Sequence, residues 1–124
     1  MKIIRKQEAR QTEKPEGTKV DYYLRPEYEV HFNEQAPNTT QTWHHHEKIT
    51  ETLFIIEGEL TAEWKKDEET HKEIIHIGDM VETEKTSHTF TNHTDKITKF
   101  LVIKQVLSGK NKSEIFRNEK IIDE

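Results

Sequence analysis

Tyr28, Val30 and Phe32 alternate with Glu29, His31 and Asn33, a period of two that predicts a half-buried β-strand. Residues 40–56 are rich in Thr, Ile, Phe and Trp, the composition of strands, and are broken at 47–49, where the charged pair Glu47 and Lys48 predicts a bend. Glu57-Gly58-Glu59 reads as a tight turn. Beyond it Leu60, Ala62 and Trp64 alternate with Thr61 and Glu63, which predicts a strand with its apolar side inward, followed by a polar loop over 65–70. Short strands are expected at 73–77, 80–83, 86–91 and 97–106, with turns at Gly78-Asp79 and at 92–96. Gly58 and Gly78 fit turn positions that need a permissive backbone. Residues 1–20 are polar and weakly patterned, as expected of a loosely held arm or an edge strand. A single helical turn capped by Ser113 is expected over 113–120. Many short strands at this spacing predict an all-β sandwich or barrel.

The length of 124 residues suits one domain spanning 1–124. Lys and Glu are interspersed, with 19 basic against 24 acidic residues and a net charge of -5, so neither nucleic acid nor an anionic membrane is called for. Residues 53–56 form the longest strongly apolar run, far short of a membrane span, and no leader-like stretch follows the charged N-terminus. A cytoplasmic location is expected. The absence of cysteine excludes disulfides, thiolate metal sites and cysteine nucleophiles, so a metal would be held by nitrogen and oxygen.

His44 and His46 are two apart, so on a strand both imidazoles project from one face while His45 points the other way. Glu51 opens the next strand on the same face as Leu53 and Ile55, which are apolar and therefore interior. An unpaired carboxylate there would cost several kcal/mol in lost solvation, which a cation shared with two histidines would offset. His88, on the strand with Phe90, is the candidate fourth ligand. The remaining histidines, His31, His71, His76 and His93, carry no such spacing and read as structural or solvated.

These residues resemble the paired motifs of the cupin superfamily. His44-x-His46, four residues, Glu51, six residues and Gly58 follow the first motif, without its leading Gly. Gly78, His88 and Asn92 follow the second in part. The interval from Gly78 to His88 is one residue shorter, and Glu84-Lys85-Thr86 stands where the motif has Pro-x-Gly. The motif core covers residues 40–92.

The resemblance implies a double-stranded β-helix, or jelly-roll barrel. It also implies one divalent transition metal (Fe, Mn, Ni, Cu, Co or Zn) held by His44, His46, Glu51 and His88, and a homodimer. Imidazole and carboxylate ligands suit all of these ions without selecting one. Leu53, Ile55, Trp64 and Phe90 are candidate pocket-lining residues, with core packing as the commoner role for Trp64. Asn92 is expected to stabilise the turn toward Asp95. The expected function is a metal-dependent enzyme of dioxygenase-like type acting on a small organic molecule. Isomerase or decarboxylase chemistry and a non-catalytic small-ligand-binding module are the alternatives. A sugar-modifying cupin would present a His and a Tyr to the pocket, but no pattern places Tyr22, Tyr23 or Tyr28 there.

Overall fold

The structure is a computed structural model in which residues 1–106 and 119–123 are described. After a short 3₁₀ turn (Lys6–Glu8) the strands are β1 (Arg10–Glu13), β2 (Thr18–Leu24), β3 (Tyr28–Gln35), β4 (Thr39–Thr40), β5 (His44–His45) and β6 (Thr50–Glu57). They continue as β7 (Leu60–Lys66), β8 (Glu69–Ile75), β9 (Met80–Glu82), β10 (His88–Asn92), β11 (Thr98–Gln105) and β12 (Ile121–Ile122). All pairings are antiparallel and make two sheets. One runs β1-β2-β3-β11-β6-β9, the other β12-β5-β10-β7-β8, with β4 also on β10. This is the jelly-roll arrangement, and β1–β2 forms an edge hairpin of the first sheet. The expected helical turn from Ser113 lies almost wholly outside the described residues.

The core forms where the sheets face each other. Leu53, Ile55, Phe100 and Val102 of the first sheet pack against Leu60, Ala62, Ile75 and Phe90 of the second. Each large side chain removed from water contributes about 1.5–3 kcal/mol. Alternation therefore places the inward faces of β6 and β7 as expected, and β11 shows the same period.

On β3 the period-two alternation holds, but the buried side is the polar one. His31, Asn33 and Gln35 are buried, while Tyr28 is exposed and Val30 and Phe32 are half-buried. The reason is hydrogen bonding. Gln35 Nε2 donates to the Phe90 carbonyl at 3.1 Å, its Oε1 accepts from Gln41 Nε2 at 3.0 Å, and Asn33 Nδ2 donates to the His31 carbonyl at 3.1 Å. Buried amides satisfied in this way tie the sheets together at little net cost. The apolar side of β3 instead continues a row on the outer face, in which Phe32 is in register with Leu101, Leu101 with Phe54, and Phe54 with Met80.

The loop expected over 65–70 is shorter than its composition suggests. β7 and β8 extend through Lys66 and from Glu69, leaving only Asp67 and Glu68 at the tip. Both adopt positive φ, +54° and +65°. That conformation matches a two-residue hairpin to the twist of its strands, although neither residue is glycine.

Candidate metal centre

The pairing of β5 with β10 puts His44 directly opposite His88, and β6 brings Glu51 toward them from the other sheet. The bend at 47–49 separates His46 from β6, so that the chain crosses between the sheets within a few residues. His44, His46 and Glu51 offer ligand atoms that all lie within 4.8 Å of one another. His88 stands beside this group, its Nε2 3.2 Å from Glu51 Oε1 and its ring centroid 4.6 Å from that of His44. All four side chains are buried.

The second motif is altered, yet His88 still faces the other three. Glu84 takes the left-handed conformation (φ +53°), and the turn is closed by the Thr86 amide and hydroxyl, both donating to the Thr83 carbonyl. This local closure stands in for the motif's Pro-x-Gly.

Each imidazole has its Nδ1 engaged by an oxygen. His44 Nδ1 donates to the Thr42 carbonyl at 2.8 Å, His88 Nδ1 to the Thr86 carbonyl at 2.8 Å, and His46 Nδ1 to Glu119 Oε2 at 2.7 Å. Those acceptors fix the Nδ1–H tautomer and leave each Nε2 as a lone pair. His46 Nε2 nevertheless lies 3.1 Å from Glu51 Oε2, and His88 Nε2 3.2 Å from Glu51 Oε1. Lone pairs facing a carboxylate at this distance call for positive charge between them, supplied either by a second proton on each ring or by a metal ion. His44 is held neutral, because burial, countered in part by the Thr42 hydrogen bond, lowers its pKa to about 3. The donor set of three Nε2 atoms and one carboxylate fits a divalent transition metal.

Burial alone would push the Glu51 carboxyl up, but positive charge between it and the Nε2 atoms of His46 and His88, together with the Lys104 charge, holds it well below the ordinary carboxylate range. Lys104 Nζ is 3.7 Å from Glu51 Oε2. Glu119, itself buried, accepts from the Glu47 and Lys48 amides through Oε1 while holding His46 through Oε2. His45 points away from the cluster, as parity requires, and is anchored by Asp123 at 2.7 Å.

Two cavities adjoin the cluster. A small one of about 40 Å³ includes Leu53, Phe90, His44 and Glu51 in its lining, together with His31, Asn33, Gln41 and three lysines, Lys14, Lys104 and Lys120. A larger one of about 270 Å³ is bounded by Trp64, Ile75, Val81, His88 and Phe90. Leu53, Trp64 and Phe90 thus border one cavity or both, whereas Ile55 is fully buried in the core and borders neither. His31, read from the sequence as structural or solvated, lines the small cavity. Its Nε2 lies 2.8 Å from Glu29, and Tyr22 packs edge-on at 4.5 Å between centroids. Asn92 caps its turn as expected, accepting from the Thr94 amide and donating to the Lys96 carbonyl.

A family model described as the cupin domain matches residues 31–104. The chain belongs to the cupin family. Among solved structures this cupin is similar to Drosophila melanogaster CENP-C bound to CAL1, with TM-score 0.74 and 17% identity over 83% of this chain and 85% of that one. It is also similar to a variant oxalate decarboxylase of Bacillus subtilis, with TM-score 0.77 and 12% identity over 97% of this chain and 32% of that one. A third is a sugar phosphate isomerase from Silicibacter pomeroyi, with TM-score 0.61 and 22% identity over 72% and 59%. The cupin thus spans about a third of the decarboxylase chain, and at these identities the likeness is one of fold. A search of curated protein sequences finds no match. Lys14, Glu119 and Lys120 lie outside the segment that matches the family model. Among the described residues no helix is long and apolar enough to cross a membrane.

Proposed function

We propose that this cupin is a small metal-dependent enzyme of dioxygenase-like type, in which His44, His46, Glu51 and His88 hold one divalent transition metal beside a small organic substrate. The observation that carries the reading is the set of Nε2 lone pairs on His46 and His88 directed at the Glu51 carboxylate, with every Nδ1 already committed. A bound ion would supply Lewis acidity and, if redox-active, a path for electrons. The chain's own residues do the rest. Thr42, Thr86 and Glu119 orient the rings, and Leu53 and Phe90 form part of the apolar wall of the small cavity beside the cluster. The same reading carries a cytoplasmic protein and a homodimer. The apolar outer row of Phe32, Leu101, Phe54 and Met80 supports association with a second copy, to be checked by sedimentation at varied concentration.

Oxygen consumption by metal-loaded protein against catechols, diketones and thiols tests the activity. Substrate-dependent uptake that is lost in Glu51→Ala is expected. Turnover without oxygen uptake would instead assign decarboxylase or isomerase chemistry, and tight binding without turnover a non-catalytic module.

A further inference from the structure

We propose that Lys14, Lys104 and Lys120 form an anion-binding subsite beside the metal cluster, selecting a small ligand that carries a carboxylate or phosphate. The proposal rests on the metal-centre reading and names the substrate class for that site.

Three separate segments deliver the lysines to one cavity wall. Lys14 sits in the turn of the edge hairpin, where its amide bonds to the Thr18 carbonyl and its carbonyl accepts from the Gly17 amide. Lys104 continues the inward-facing series Thr98, Phe100 and Val102 on β11. Lys120 directly precedes β12, at the exposed rim. All three line the small cavity that contains His44 and Glu51.

The charges there do not balance. Among the described residues, the Lys14 and Lys120 ammonium groups have no hydrogen-bonded or ion-paired carboxylate. Among the described residues, Lys104 is ion-paired with Glu51, at 3.7 Å. Glu16 and Glu51 act on Lys14 and Lys120 from a distance, two carboxylates set against three ammonium groups. With Glu51 engaged by a divalent ion, the ion and the three ammonium groups would together outweigh the carboxylates of Glu51 and Glu16. In a recess partly shielded from water such a field attracts a small anion. Crowding of like charge is already felt, since burial first, and then the Lys120 and Lys104 charges, lower the Lys14 pKa to about 8. An anion placed among them would relieve this. The volume of about 40 Å³ restricts what enters to a compact head group. His31, Asn33 and Gln41 provide polar groups along the same wall.

The test is titration calorimetry on the metal-loaded and metal-free full chain with acetate, inorganic phosphate and neutral acetamide. Acetate or phosphate should bind and acetamide should not. Whichever of the two anions binds more tightly identifies the head group. Lys14→Met and Lys120→Met should each weaken anion binding about tenfold to a hundredfold, the usual range for a lost charge-assisted hydrogen bond. Lys120 is exposed, so its substitution leaves folding intact, and circular dichroism checks both variants. Anion affinity unchanged in the double variant, or acetamide binding as well as acetate, would overturn the proposal. Failure of the metal reading is seen separately, as absence of metal in the untreated protein, and the metal-free titration then still reads the lysines alone.

Discussion

His46 Nδ1 donates to Glu119 Oε2 at 2.7 Å across 73 residues of sequence, joining one imidazole of the cluster to the neighbourhood of strand β12. The carboxylate fixes the tautomer of His46 and increases the basicity of its Nε2. Glu119→Gln keeps the size and loses the charge, so it should weaken metal affinity about tenfold to a hundredfold, measured by competition with a chromophoric chelator. The exposed Glu47, whose carboxylate lies against His45, serves as the comparison, and Glu47→Gln should leave affinity unchanged.

Phe90 is 2% exposed and separates the two cavities. Phe90→Ala should cost about 3–5 kcal/mol in urea unfolding, through lost transfer energy and the void left behind. A cost below about 1 kcal/mol would mean that the sheets do not pack as described.

Gly58 and Gly78 separate two causes of glycine dependence. Both have positive φ, +84° and +88°, which disfavours any side chain. A Cβ at Gly58 would also come within 2.7 Å of Thr98 Oγ1, whereas nothing lies within 4 Å at Gly78. Gly78→Ala should therefore cost about 1 kcal/mol and Gly58→Ala clearly more, read as the difference between their denaturation midpoints.

Lys14 predicts a pH dependence of stability in the metal-free protein. Its folded pKa of about 8 lies below the ordinary 10.5, chiefly through burial. Between those values the unfolded chain binds more protons, so stability rises as pH climbs from about 8 toward 10.5, and the penalty of burying the charge is fully present below that window. Lys14→Met should flatten this slope and raise stability at neutral pH. An unchanged slope would show that Lys14 is solvated.

Parity on β6 and β11 was legible because the apolar residues there set the inward face unambiguously. Glu51 stood out because it continues the series of Leu53 and Ile55. Lys104 carries the same signal, continuing Phe100 and Val102, and the same argument finds it. Residues 31, 33 and 35 were misleading because hydrogen-bonded amides, and not apolar side chains, fill the interior at β3. Glu119 and Lys120 have no local pattern at all. Their place follows from β12 pairing with β5, a contact between segments more than seventy residues apart that no periodicity reports.

His44, His46, Glu51 and His88 are proposed to hold one metal ion. Elemental analysis of protein purified without an affinity tag, alongside Glu51→Ala and His88→Ala, tests this most directly. Near one equivalent of a divalent transition metal per chain is expected in the parent protein, with strong loss in both variants. Equal metal content in all three would contradict it.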